Sequence, residues 1–466
     1  MADATLGRLA GQVHRVCRRE RESGAMPFAT LLDPRRVEHQ IEELGGKVRR
    51  CLLSPLVTFF AFLGQVVSAD QSCRQAVADI LAWLGPRQGE LPSGEDGPYC
   101  KARRRLPQEL PQQLARRVGA ELVERVGPGK LLGGRAIKVI DGTVISMPDT
   151  PANQAAYPQS RSQKAGVGFP LMRLVAVLSL YSGACLAAAG AAWRGKQTGE
   201  TALLRTLLES FASGDVALGD CAFCSYWQIA LFLPRGVDCL FRMHQRRTVD
   251  FRKGRRLGRE DHVVRWVKPA RPEWMEQQLY EALPPELEIR EVRVHVSAPG
   301  FRVRVLVLAT TLLDPVLYPR AELARAFRAR WEAEVDLRSI KAAMRMDVLR
   351  CKSPEMVERE LWMHLLAYNL VRTLTSRAAN EAGMEPRQVS FTAGMQFLRS
   401  FAPIIAMLEP EAAQRMEQLL LEVIARHVVG DRPNRYEPRA VKRRAKPHPL
   451  LNEPRARARK RMLPAH

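Results

Sequence analysis

Between residues 136 and 243 the hydrophobic periodicity runs strand, strand, strand, helix, strand, helix, strand, and no other feature constrains the fold as much. Residues 136–147, 171–180 and 185–193 are apolar and rich in β-branched or small side chains. Residues 198–211 read as a helix, 216–218 as a short strand, 228–233 as a helix and 237–243 as a further strand. Elements in that order form a mixed α/β layer with its helices outside.

The flanking segments have other textures. Residues 1–130 read as a basic helical domain that ends near Gly127-Pro128-Gly129 and Gly133-Gly134. Within it Ser54-Pro55 opens one helix, 70–84 form another that stops at Gly85-Pro86, and the LPSGEDGPYC stretch reads as a loop. Residues 107–126 carry Leu110, Leu114, Val118, Leu122 and Val126 at four-residue spacing, an amphipathic helix. This basic bundle is either a reader of DNA ends or a solvated charged face. Residues 244–312 look like a β-rich insertion: Arg252-Lys253-Gly254-Arg255-Arg256 is a basic turn, and 287–296 and 301–310 alternate like half-buried strands. The chain is helical again over 313–430. In 431–466, twelve Lys and Arg against three acids give +9, and six prolines argue against regular structure. That tail reads as a flexible arm on phosphates, or as a solvated one.

The whole chain of 466 residues carries 72 Lys+Arg and 49 Asp+Glu, a formal charge of +23. A hydrophobic share of 46% excludes wholesale disorder, and the positive excess points to a polyanion, with nucleic acid ahead of a membrane surface. Nine irregularly spaced cysteines do not make a disulfide framework, so a reducing compartment is expected. The first residues lack the apolar core of an export signal. The uncharged runs 51–69 and 174–193 suit a buried helix and a strand pair better than membrane spans.

Asp141 interrupts the apolar strand Val139-Ile140-Asp141-Gly142-Thr143. Burying a bare carboxylate is costly, so it must be paired or cation-bound, unless Asp-Gly simply marks a turn. Asp220 follows Val216-Ala217-Leu218-Gly219, at the strand end where open α/β sheets place ligands; Asp215, at that strand's start, is the weaker candidate. Residues 318–346 read as one long helix. At 100° per residue Phe327, Arg330, Glu334 and Lys341 fall within about 60° of one another, which is either a functional stripe or surface salt-bridge decoration. Taken together, three carboxylates in a positive chain favour a hard cation, Mg²⁺ above all. Two such ions can activate a water or 3′-hydroxyl for in-line phosphoryl displacement. Arg242, His244, Arg246 and Arg247 leave the strand at 237–243 and either touch DNA or form a solvated cluster. Cys221 and Cys224 have half the spacing of a zinc site but read as structural, His364 reads as a core or interface histidine, and Gly127-Pro128-Gly129-Lys130 lacks the spacing of a phosphate loop.

On these residues the chain resembles the bacterial insertion-sequence DDE transposases with an RNase H-like catalytic domain and the helix signature Tyr-x2-Arg-x3-Glu-x6-Lys. Phe327-x2-Arg330-x3-Glu334-x6-Lys341 matches it except at Phe327, which lacks the tyrosine hydroxyl. The resemblance implies an RNase H-like mixed sheet with flanking helices, with core parts at 131–243 and 313–430 around the 244–312 insertion. It implies that Asp141, Asp220 and Glu334 are catalytic and hold two Mg²⁺ ions, with Mn²⁺ as a substitute, and that Phe327, Arg330 and Lys341 meet DNA. Cleavage at mobile-element ends and strand transfer would follow, with terminal inverted repeats and target DNA as partners. A homodimer in the synaptic complex, a cytoplasmic, nucleoid-associated location and no membrane association are also expected. Some relatives cut through a hairpin, with a flipped base stacked on a tryptophan of the insertion. Residues 303–310 offer no aromatic, and Trp266 and Trp274 lie elsewhere, which puts that route in doubt. A domesticated DNA-binding protein and a nuclease without joining activity are the competing readings.

Overall fold

The computed structural model describes residues 28–29, 31–46, 52–84, 93–295, 305–430 and 450–462. They divide into two compact units: one drawn from Met1–Val126, Arg338–Met346 and Glu355–Gly430, the other from Gly127–Leu337, Asp347–Pro354 and Asp431–His466. The segment 313–430 is thus shared between the units, its later helices grouping with the N-terminal ones.

The first unit contains helices α1 (Pro34–Glu43), α2 (Pro55–Val67), α3 (Cys73–Leu84), α4 (Gly97–Arg104) and α5 (Leu110–Val126). Ser54 caps α2 by accepting from Val57 N, Pro55 occupies its first turn, and ten of its thirteen residues are buried, as the uncharged run suggested. The four-residue stripe of α5 is buried at Leu110, Leu114, Val118 and Leu122. The segment expected to be a loop is helical from Gly97 onward: Pro98 stands in the first turn, where a missing N–H costs nothing, and three basic residues follow in the last turn. No helix of the described residues is long and apolar enough to cross a membrane.

The second unit is built on one nine-stranded sheet of order β3-β2-β1-β4-β5-β9-β8-β7-β6. Its strands are β1 (Ile137–Ser146), β2 (Leu171–Ser179), β3 (Cys185–Ala192), β4 (Val216–Gly219), β5 (Asp238–Arg242), β6 (Arg255–Gly258), β7 (Asp261–Val267), β8 (Glu286–His295) and β9 (Val305–Thr310). Strands β1, β2 and β3 pair antiparallel, while β4 and β5 run parallel to β1. That arrangement is the RNase H-like sheet. Strand β4, between its parallel neighbours β1 and β5, is buried at every residue, as a strand covered on both faces should be.

The β-rich stretch after β5 is not a separate body. Strand β9 pairs antiparallel with β5 (Leu240 opposite Thr310), so β9-β8-β7-β6 prolong the core sheet from its edge. Strand β6 begins at Arg255, inside what read as a basic turn. Helices α6 (Pro151–Ala156), α7 (Glu200–Arg205), α8 (Tyr226–Phe232) and α9 (Gln277–Ala282) flank the strands. Leu203, Leu204, Ile229 and Phe232 join the same apolar core as Val175 and Val177.

The helix expected over 318–346 is three pieces: α10 (Arg320–Ala329), α11 (Trp331–Arg338) and a π turn over Ser339–Ala343. The first break falls at Arg330, whose N–H bonds the carbonyl three residues back, at Phe327. After the π turn, residues 347–349 lie beside β1: Ser146 N–H donates to Asp347 O, Leu349 N–H donates to Ser146 O, and Ser146 and Val348 form a parallel bridge. The first unit then resumes with α12 (Pro354–Glu381), α13 (Phe391–Ile405) and α14 (Pro410–Ala425). The tail is not wholly irregular. Arg455–Met462 forms helix α15 directly after Pro454, because the Arg-Ala-Arg-Ala run is a good helix former and proline favours a helix start. Residues 431–449 and 463–466 lie outside the described part.

Candidate active site

Strand β1 is buried up to Ile140 and only partly covered from Asp141 to Val144. The change has a topological cause. Strand β4 accompanies β1 only through Ile137, Lys138 and Val139, opposite Val216, Ala217 and Leu218. Continuing that register by two residues sets Asp141 level with Asp220, the first residue after β4. Two carboxylates far apart in sequence are thereby brought level where β4 ends and β1 continues with only β2 beside it, an opening in the sheet suited to a ligand. Asp215, at the other end of β4, is structural: it pairs with Lys138 Nζ at 2.6 Å and accepts from Ala212 N.

Helices α10 and α11 bring the third carboxylate. Arg330, at their junction, donates from Nη2 to Glu334 Oε1 at 2.6 Å and holds Nη1 3.9 Å from Asp141 Oδ2. Its guanidinium also lies 5.8 Å from the centre of the Phe327 ring. Burial pushes the Asp141 carboxyl up to about 6; the Gly142 N–H and Arg330 oppose the rise, and the negative charges of Glu334 and Asp220 add to it. Asp141, Asp220, Glu334, Arg330 and Phe327 thus occupy one neighbourhood of the second unit. Lys341 is a different case. It sits in the π turn, grouped with the first unit, and a π turn shifts helical register, so its place on the ideal-helix stripe does not carry over.

Residues 132–370 match the family model described as the transposase DDE domain, which is just over half of the chain and contains Asp141, Asp220 and Glu334. The chain belongs to the DDE transposase family. It is 27% identical, over 427 residues covering 90% of this chain and 92% of the other, to the transposase InsG for insertion sequence element IS4 of Escherichia coli strain K12. Among solved structures it is similar to the piggyBac transposase in a synaptic complex with hairpin DNA, at 11% identity and a TM-score of 0.40, covering 83% and 81% of the two chains. As a DDE transposase the chain is an enzyme that cleaves and transfers DNA.

The donors suit the divalent metal on which DDE chemistry depends. Carboxylate oxygens are what hard cations take, and the negative charge gathered at Asp141 is only partly offset by Arg330. Among the described residues no three His, Cys, Asp or Glu side chains converge tightly enough to hold one ion, and Arg330 bridges Asp141 and Glu334. The fit is therefore in the chemistry of the donors, with Arg330 having to yield its place.

Of the remaining residues in the sequence reading, Arg242 ends β5, half-buried, and Arg246 is exposed in the turn that follows. Cys224 is buried, which drives its thiol to about 12, far from the thiolate a metal needs. His364 is buried within α12. Trp266 is committed to structure: its Nε1 donates to Glu291 at 2.9 Å and Arg247 stacks 3.7 Å from its ring. Trp274 is likewise covered by Arg205 at 3.7 Å. One neighbour had no sequence signal. Glu200, in the first turn of α7, lies against Gly142, so close that a Cβ on Gly142 would stand 2.6 Å from Glu200 Oε1. A glutamate in a helix's first turn is commonplace, and nothing in one dimension links it to β1.

Proposed function

We propose that this transposase cuts DNA at the ends of an insertion sequence and joins them to target DNA, with Asp141, Asp220 and Glu334 as the catalytic carboxylates. The observation that carries the assignment is the level register of Asp141 and Asp220, with Glu334 tied to Asp141 through Arg330. These three acids would hold two Mg²⁺ ions, or Mn²⁺ in their place. Bound there, the metal supplies Lewis acidity to activate the attacking hydroxyl and stabilise the leaving oxygen of an in-line displacement.

Arg330 has two roles in this reading. Between Asp141 and Glu334 it neutralises carboxylates that repel one another. When a phosphate backbone arrives, the guanidinium exchanges those oxygens for phosphate oxygens, which match its fork equally well, and frees both acids. Phe327 supports the Arg330 stem, and Lys341, Arg242 and Arg246 are further cations for DNA phosphates. Terminal inverted repeats are the DNA recognised and two copies of the chain act together at paired ends; the relative that serves an insertion element supports the first point.

The test is an in vitro strand-transfer assay on matched terminal inverted repeats. The wild-type chain should give joined product. Asp141→Ala, Asp220→Ala and Glu334→Ala should each lower cutting at least about a hundredfold, since metal-borne charge stabilisation is worth several kcal/mol, while retaining a shifted band on the same DNA. Cutting by all three variants at the wild-type rate would refute the assignment. Cut but unjoined product from the wild type would reduce the enzyme to a nuclease.

A further inference from the structure

We infer that the loop between β1 and β2 is a hold on the DNA duplex beside the catalytic carboxylates: Arg161 and Lys164 take backbone phosphates, and Phe169 lays its ring against the duplex. The inference rests on the reading of Asp141, Asp220 and Glu334 as the place of cutting, and it adds a surface that keeps the substrate there.

Topology puts the loop in position. Residues 147–170 leave the carboxyl end of β1, the end at which β4 gives out and Asp220 follows. Their return is pinned at the base, where Met147 N donates to Pro170 O at 3.3 Å and Leu171 N to Tyr157 O at 3.1 Å.

The loop over 158–169 is also built to hold a shape. Gln159 is buried, and its side chain serves four backbone groups. Its Nε2 donates to Lys164 O at 2.8 Å and Gln163 O at 3.3 Å, while its Oε1 accepts from Gly166 N at 3.0 Å and Gly168 N at 3.2 Å. Gln154 braces the same ring, donating to Gly168 O at 2.9 Å and accepting from Gln159 N at 3.1 Å. Backbone groups of a segment with no strand ladder are thus satisfied from inside. A loop held in this way can present side chains to a partner without being remade by it.

What it presents is of one kind. Arg161, Lys164 and Phe169 are exposed, Phe169 at 58%, and residues 150–170 contain no Asp or Glu. An ordinary solvated surface intersperses both signs of charge. Cations without acids, next to an uncovered aromatic ring, suit nucleic acid: phosphates for the charges, a sugar or base for the ring. The tail joins the same surface. Pro454 Cγ lies 3.1 Å from where a Cβ on Gly166 would stand, so α15, which starts at the next residue, begins against this loop. Glu453 there is held by Arg457 and Arg461, and Arg455, Arg459 and Lys460 add to the positive face.

Binding isotherms of the full-length chain on a labelled mixed-sequence duplex, at several salt concentrations and without divalent metal, read this hold apart from cutting. Each cation on a phosphate contributes about 0.9 to the slope of log affinity against log salt, so Arg161→Ala combined with Lys164→Ala should flatten it by about 1.8. Phe169→Ala should weaken binding about 10-fold at every salt concentration and leave the slope alone, because covering a ring releases no counterions. Arg235→Ala, just before the amino end of β5 and so at the opposite end of the sheet, controls for charge removed elsewhere and should keep the wild-type slope. A wild-type slope in the double variant would overturn the inference, as would equal flattening per charge in Arg235→Ala or wild-type affinity in Phe169→Ala. If the double variant fails to melt cooperatively, Arg161→Gln decides by the same slope. Wild-type cutting by the Asp141, Asp220 and Glu334 variants would overturn the catalytic reading instead, and these isotherms do not depend on it.

Discussion

Asp141 is charged at neutral pH at a cost to the fold. Its carboxyl titrates at about 6 in the folded chain, against an ordinary 3.8, chiefly because it is buried and secondarily because Glu334 and Asp220 repel its charge. A raised carboxyl pKa means that the folded state holds the proton more tightly than the unfolded one. Stability therefore falls as pH rises from about 3.8 through 6, and the full cost, at most about 3 kcal/mol, is present above that window. Asp141→Asn should abolish cleavage and yet raise the melting temperature by several degrees at pH 7.5, an advantage that should shrink toward zero near pH 4. Thermal melts of the two proteins at both pH values decide it. An equal difference at each pH would mean that the charge of Asp141 is not what strains the site.

Among the elements, the strands after β5 anchor the helices that carry Arg330 and Glu334. Arg290 of β8, fully buried, makes a two-pronged pair with Asp261 of β7 at 2.8 and 2.7 Å, and its Nη1 donates to Tyr318 O at 2.8 Å, two residues before α10. Arg290→Ala strands the Asp261 charge in the core and should cost about 3–5 kcal/mol, measured by urea unfolding. Arg290→Met combined with Asp261→Leu should restore most of it, and a double variant no better than the single would show that the pair does more than neutralise itself. Pairs of this kind also explain what the sequence left illegible. Strands β1 to β5 could be read because their apolar runs have the right lengths and boundaries. Strand β7 did not stand out within the β-rich stretch: it opens with polar Asp261 and His262, whose buried partners Arg290 and Glu291 lie on another strand. The break at Arg330 and the π turn after it were equally hidden, since Phe327-Arg328-Ala329-Arg330-Trp331-Glu332 contains no helix breaker. Asp141 and Asp220 stand out in sequence because an acid within or directly after an apolar strand conflicts with its surroundings, whereas Glu334 stands out only by its spacing from Phe327, Arg330 and Lys341. Glu200 conflicts with nothing around it in sequence.

At the scale of the whole chain the dominant quantity is charge. Of the formal +23, residues 431–466 contribute twelve Lys and Arg less three acids, +9, leaving +14 for the rest. Helix α15 within that tail has no buried residue, and Glu453 offsets only part of its charge through Arg457 and Arg461. Five cations over Arg455–Met462 with no apolar face give this helix nothing of its own to fold against, whereas a phosphate backbone would accept them readily. Each phosphate neutralised by a protein cation releases counterions and steepens the logarithmic salt dependence of binding by about 0.9. Truncation after Gly430 should therefore weaken binding to duplexes of any sequence and flatten that slope by several of these steps. Binding isotherms at four or five salt concentrations, for the full chain and the truncated one, measure both effects together. A slope unchanged by truncation would show that the tail cations remain solvated in the complex, and that the body's +14 carries the non-specific attraction alone.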